Sequence, residues 1–252
     1  MAKAILFDQT ICIGCRACEE ACAKQNKLAY DENIAKIEKT SEYKFTSIVT
    51  LKGGGEEKYM RKLCMHCADP TCVSVCPVGA LEKSKLGPVT YDEGKCMGCR
   101  YCMVACPFNV PKYEWSKAIP RVRKCIMCPD RVAAGLQTAC AEACPTGATL
   151  FGERGALIAE AQRRIRETPG YVPRIYGLTD AGGTSVLIIS SVDVEKFGYP
   201  ANVGDKPMPY LTGDVLKGAP GLVTVGWAVL GGIWWITNRR ETVAKVEKKE
   251  ER

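Results

Sequence analysis

The sequence predicts an α+β fold followed by a single apolar helix at the C-terminal end. Three observations carry that expectation. Sixteen cysteines stand in 252 residues, in four sets of four between Cys12 and Cys144. Short apolar runs such as Val89-Thr90-Tyr91 and Val186-Leu187-Ile188-Ile189 alternate with stretches of helical spacing. An uncharged run from Ala219 to Thr237 lies beyond the last cysteine.

The cysteine sets come first along the chain. Cys12, Cys15, Cys18 and Cys22 follow C-x2-C-x2-C-x3-C, and Cys96, Cys99, Cys102 and Cys106 repeat that spacing with Pro107 after the last. Cys64, Cys67, Cys72 and Cys76 widen one gap to four residues, and Cys125, Cys128, Cys140 and Cys144 widen it to eleven; both keep a closing C-x3-C-P, with Pro77 and Pro145. This is the spacing of bacterial ferredoxins, in which thiolates hold [4Fe-4S] clusters. Three thiolates on a tight loop cap three irons of one cubane. The fourth, entering a short helix, points to the neighbouring cluster, so the clusters come in pairs.

Four [4Fe-4S] clusters are therefore expected, each iron held by one of the sixteen cysteines. Cluster A takes Cys12, Cys15, Cys18 and Cys144, and cluster B takes Cys125, Cys128, Cys140 and Cys22. Cluster C takes Cys64, Cys67, Cys72 and Cys106, and cluster D takes Cys96, Cys99, Cys102 and Cys76. Clusters C and D fall in one contiguous ferredoxin-like module, about residues 60–110, where Gly79-Ala80-Leu81 ends a helical turn and Val89-Thr90-Tyr91 forms a short strand. Clusters A and B need a second module built from distant halves, about 5–30 and 120–150, folded around the first. Residues 1–155 then form the cluster domain. Zinc is the competing chemistry, because C-x2-C pairs also build four-cysteine sites, and it defines the alternative of a membrane-tethered zinc-binding interaction module. A zinc site gives no reason for a third cysteine two residues on or for the closing Cys-Pro. Disulfides between such close cysteines would be strained and of little entropic benefit.

Charge points the same way. The formal net charge is +7 with every cysteine neutral. Each oxidised cluster with four thiolates carries about −2, so four clusters bring the total close to neutrality. The basic residues read as counter-charges to clusters, and nucleic acid is not an expected partner.

Other residues have weaker signals. His66, the only histidine, lies between Cys64 and Cys67, but the cysteine sets are complete without it, so it is expected to hydrogen-bond near a cluster or to face a partner. Arg100 and Lys124, beside Cys99 and Cys125, read equally as cations that favour the reduced cluster and raise its potential or as ordinary solvated surface charges. Gly53-Gly54-Gly55 has no Gly-Lys-Ser/Thr after it and reads as a hairpin loop. With no Ser/His/Asp set, dinucleotide fingerprint or acid pair, the chain is expected to have no catalytic residues of its own.

Residues 156–218 change character. Leu157, Ile158, Ala161 and Ile165 recur at helical spacing from Ala156 to Glu167, and Pro169-Gly170 ends that helix. Val186–Ile189 suits a buried strand. From Tyr199 to Pro220, Pro200, Pro207, Pro209 and Pro220 suggest an extended arm lying on a partner.

The run Cys64-Met65-His66-Cys67-Ala68-Asp69-Pro70, the segment Gly98-Cys99-Arg100-Tyr101-Cys102-Met103-Val104-Ala105-Cys106-Pro107-Phe108, and Ala143-Cys144-Pro145-Thr146-Gly147-Ala148 carry a resemblance. The chain resembles the iron-sulfur subunits of membrane-bound formate dehydrogenase-N and of the quinone-linked hydrogenase-2 type, from about Phe7 through Gly182-Gly183-Thr184 to the final helix. The resemblance implies four clusters forming a wire between a large catalytic subunit, holding molybdenum or tungsten or else nickel-iron, and a membrane cytochrome b or quinone-binding subunit. Relatives of the hydrogenase-2 type usually begin with a twin-arginine signal. Here Met1-Ala2-Lys3-Ala4 leads straight towards the first motif, which favours the formate dehydrogenase arrangement.

The last element is the membrane helix. Nineteen residues, Ala219 to Thr237, carry no charge. At 1.5 Å per residue they reach about 28 Å, enough to span a bilayer. Trp234 and Trp235 sit at the level of an interfacial aromatic belt. Arg239 and Arg240 follow, and the tail 238–252 holds six Lys/Arg against four Asp/Glu, so the positive-inside rule places it in the cytoplasm. The cluster domain is then expected on the periplasmic face of a bacterial inner membrane, crossed once. The resemblance implies that it is exported already folded with a signal-bearing partner, leaving Gly226, Gly231 and Gly232 to pack against a cytochrome's helices.

Overall fold

The structure, a computed structural model, describes residues 2–53 and 56–250. The chain divides into a compact unit, Met1–Pro209, and a second unit, Tyr210–Arg252. In the first unit β1 (Lys3–Asp8) leads to α1 (Ala17–Gln25), α2 (Glu32–Lys36) and the hairpin of β2 (Ser47–Gly53) and β3 (Glu56–Lys62). Next come α3 (Thr71–Ser74), the hairpin of β4 (Leu81–Lys83) and β5 (Val89–Tyr91), and α4 (Tyr101–Ala105). Paired β6 (Lys112–Tyr113) and β7 (Val122–Arg123) precede α5 (Pro129–Ala133) and α6 (Ala139–Glu142). Finally β8 (Thr149–Glu153), α7 (Arg154–Glu167) and β9 (Val186–Ile189) lead to α8 (Met208–Glu250).

One sheet explains how the two ends of the cysteine-rich region meet. β1 is its centre, antiparallel to β8 with Ile5 opposite Phe151 and parallel to β9 with Ile5 opposite Val186. Strand side chains alternate between faces, and both faces here are covered, which is why β1 and β9 are unbroken apolar runs. Ala4, Leu6, Leu187 and Ile189 pack under Leu157 and Ala161 of α7. Ile5, Phe7, Val186 and Ile188 face the other way, into a core that includes Cys18, Cys22, Cys64, Cys125 and Cys140. The sheet thus ties the first cysteine set to the fourth. A smaller core joins Leu81, Val89, Cys102 and Val122 around the second and third sets.

The insertion between the first two cysteine sets is locked by a buried ion pair. Lys44 Nζ lies 2.8 Å from Glu19 Oε2, with both side chains almost fully buried. Glu19 also accepts from Ile48 N–H and Tyr30 hydroxyl, and Lys44 donates to the carbonyls of Ile34, Ala35 and Ile37. The hairpin that follows has the expected strands, while Gly54 and Gly55 lie outside the described residues.

Helix α7 and strand β9 stand where the sequence predicts them. The expected arm does not hold over its whole length. Residues 199–207 are irregular and pack back on their own unit: Tyr199 donates to the Arg61 carbonyl at 2.7 Å, and Tyr176 donates to the Pro200 carbonyl at 3.0 Å. From Met208 to Glu250 the chain is helical, so Pro209 and Pro220 are inside α8. Pro209 sits in the first turn, where its missing N–H leaves no bond unmade. Pro220 removes one ladder bond, and Thr224 donates to the Pro220 and Gly221 carbonyls there. From Met208 to Lys245 the helix is long and apolar enough to cross a membrane, with mean hydropathy 1.5 in its most apolar window.

Candidate metal centre

All sixteen thiols are unbridged and belong to the first unit. Each set begins on a loop that the backbone bends with left-handed residues. Gly14 has φ +69°, and the Tyr59 ring lies 2.5 Å from where a Cβ would stand, so glycine is required between Cys12 and Cys15. Arg16 and Arg100 repeat one left-handed conformation ahead of α1 and α4, in the matching runs Cys12-Ile-Gly-Cys-Arg and Cys96-Met-Gly-Cys-Arg. His66, Met127 and Cys128 supply the equivalent bends in the other two sets.

Each thiolate would be opposed by the thiolates nearest to it, and those neighbours cross the cysteine sets. Cys12 faces Cys144 and Cys15, although Cys12 and Cys144 are at opposite ends of the cysteine-rich region. Cys22 faces Cys125, Cys140 and Cys128. Cys67 faces Cys64, Cys106 and Cys72, and Cys102 faces Cys96, Cys99 and Cys76. Three further proximities run between these groups: Cys18 with Cys140, Cys125 with Cys64, and Cys72 with Cys102. The close packing of α1 on α6 and of α3 on α4 produces this pattern.

Burial makes bare thiolates costly. It pushes the thiols of Cys18, Cys72 and Cys125 up to about 12 and that of Cys102 to about 11. Metal ligation requires the thiolate, so these positions need an electropositive group to hold them deprotonated. Cys144 differs. Burial raises it too, but donors at Thr149, Thr146 and Ala148 outweigh burial and leave it below the usual thiol range. Elsewhere Ala80 N–H donates to Cys76 Sγ at 3.3 Å and Met127 N–H to Cys125 Sγ at 3.4 Å.

The surrounding side chains suit a group with net negative charge. Lys124 is buried and donates to the carbonyls of Val89 and Cys125. Lys83 donates to the carbonyls of His66 and Gly87. His66 is fully enclosed; Val89 N–H donates to its Nδ1 at 2.8 Å, which puts the proton of the neutral ring on Nε2. Burial, then the charges of Lys124 and Lys83, hold its pKa well below the ordinary histidine value. Nε2 has no partner within the described protein, as suits a donor beside an inorganic acceptor. The residues present thus fit [4Fe-4S] clusters. Among the described residues, no three His, Cys, Asp or Glu side chains are grouped to hold a single metal ion.

Arg100 and Lys124 separate in role. Arg100 is exposed and its guanidinium lies over the Tyr113 and Trp115 rings, 5.7 and 5.3 Å from their centroids, whereas Lys124 is in the core. The residue that sequence reasoning missed is Arg61. It is 0% exposed and lies beside Cys140, Cys18 and Cys125. Nothing in Glu56-Glu57-Lys58-Tyr59-Met60-Arg61-Lys62 marks it, because a polar strand residue looks the same whether its face is wet or covered.

Comparison with known proteins points to the same class of cofactor. Two family profiles, both described as 4Fe-4S dicluster domain, match residues 56–154 and 11–80. A protein of Nitratidesulfovibrio vulgaris is 39% identical over 98% of this chain and 70% of its own length. The hydrogenase-2 operon protein HybA of Escherichia coli O157:H7 is 38% identical over 78% of this chain and 72% of its own. The iron-sulfur subunit of the nitrate-inducible formate dehydrogenase of Escherichia coli K12 is 36% identical over 73% of this chain and 66% of its own.

Proposed function

The chain belongs to the family of iron-sulfur subunits found with formate dehydrogenases and hydrogenase-2, and we propose from that premise that it is an electron relay between a large catalytic subunit and a membrane cytochrome b or quinone-site subunit. When bound, [4Fe-4S] clusters supply reversible one-electron storage. The chain's part is to hold four of them in series, in the sets A, B, C and D named above.

The observation that carries this reading is the pattern of thiol neighbours. Cys12 beside Cys144, and Cys22 beside Cys125, Cys128 and Cys140, support a module assembled from distant halves. The proximities of Cys18 to Cys140, Cys125 to Cys64 and Cys72 to Cys102 support the order A, B, C, D. Exposed apolar side chains stand at both ends of that order. Ile13, 60% exposed, is beside Cys12, while Met97, Tyr101 and Val104, the last 89% exposed, surround Cys99 and Cys102. Such residues at two separate ends support two different partners.

Formate dehydrogenase is the first reading of the catalytic partner. The match to HybA, over more of this chain, favours a nickel-iron hydrogenase as the second. The complex purified through this chain is expected to contain molybdenum or tungsten and to show its clusters reduced by formate. Nickel, with reduction by hydrogen alone, would replace the first reading by the second; neither metal and neither reduction would remove both.

The uncharged stretch of α8 and the basic residues after it support one membrane crossing with the tail in the cytoplasm and the cluster unit on the periplasmic face. Protease added to spheroplasts is expected to digest the cluster unit and spare a tag on Arg252. The reverse pattern would overturn this orientation.

A further inference from the structure

Arg61 is a permanent cation enclosed in the core. Its Nε donates to Thr46 Oγ1 at 2.8 Å and its Nη1 to Thr149 Oγ1 at 3.3 Å, which fix the guanidinium from two separate elements. Neither partner carries charge. A guanidinium removed from water needs a compensating negative group. Thr149 stands opposite Phe7, on the face of the sheet turned to the thiol core, so the guanidinium lies on that side; the thiols whose charge it meets are those of Cys140, Cys18 and Cys125. In the proposed sets Cys140 and Cys125 belong to cluster B and Cys18 to cluster A. The side chain therefore stands where the two halves of the split module meet.

We propose that Arg61 is a positioning residue that serves as the internal counter-ion of clusters A and B and holds the reduction potential of cluster B upward. The inference rests on the proposed ligand sets. Reduction adds one electron to a group already negative, and a fixed buried cation beside it favours that state. The first and fourth cysteine sets meet where α1 packs on α6, and Arg61 of β3, held by Thr46 and Thr149, brings its charge to that junction. Lys83 and Lys124 hold the corresponding place on the side of Cys64, Cys67 and Cys72.

The test is an EPR-monitored redox titration of the full-length chain in its complex, with iron and labile sulfide measured alongside. Arg61→Gln is expected to retain full iron and sulfide while the reduced-to-oxidised ratio of one cluster at fixed potential falls more than tenfold, a downward shift beyond about 59 mV for a one-electron couple. Arg61→Lys, which keeps the charge, is expected to stay within that range. Unchanged potentials in Arg61→Gln at full iron content would overturn the proposal. If Arg61→Gln does not assemble, wild-type complex labelled with guanidino-15N arginine decides. A 15N hyperfine coupling on one reduced cluster, absent in Arg61→Lys, supports the proposed proximity, and its absence in the wild type overturns it. A wild-type complex with iron far below sixteen per chain would fail the four-cluster reading instead, so the two failures are distinct.

Discussion

Cys144 joins more of the argument than any other residue. It belongs by spacing to the fourth cysteine set, yet Cys12 is among its neighbours. Replacing it by serine, Cys144→Ser, is expected to damage the cluster held by Cys12, Cys15 and Cys18 and leave the one held by Cys125, Cys128, Cys140 and Cys22. Mössbauer spectra of the variant check this; a change confined to the latter cluster would refute the crossed sets. Glu19 shows a different dependence, since removing one partner of a buried pair strands the other. Glu19→Ala leaves the Lys44 ammonium without a carboxylate and is expected to destabilise the chain by about 3–5 kcal/mol, read from denaturant unfolding. The cysteines were legible because ligand spacing is a local property of the chain. Arg61 and Glu19 were not, because their roles come from burial created by contacts far apart in sequence.

At the scale of elements, periodicity foretold α7 and β9, where a repeated apolar spacing meets a covered face. It did not single out β1, although Ala4-Ile5-Leu6-Phe7 is the same kind of doubly buried run as Val186–Ile189. Without knowing that β8 and β9 flank it, four apolar residues near a terminus have no assigned period. Prolines misled the reading of residues 208–220, because a first-turn proline and one inside an apolar helix are both tolerated where an arm was expected. The extent of α8 sharpens a test of its role. Truncation after Lys217 leaves only the start of α8. Cluster content and dye-linked activity of the complex are expected to survive while quinone reduction is lost, and undiminished quinone reduction would show that α8 is not the anchor.

For the whole molecule, the central feature is that a chain with one histidine places seven of its sixteen thiols in the core, with the buried cations Arg61 and Lys124 among them. Spacing alone makes paired clusters an expectation of the sequence. The proposed series A to D was not readable, because it depends on the sheet that carries the first set to the fourth and on the packing of α1 against α6. The alternative with the same cysteines is zinc, which needs no sulfide. The most direct test is the iron, zinc and acid-labile sulfide content of the anaerobically purified full-length chain. About sixteen irons and sixteen sulfides per chain, in a brown protein bleached by dithionite, is the predicted result; a colourless protein containing zinc and no labile sulfide would contradict it.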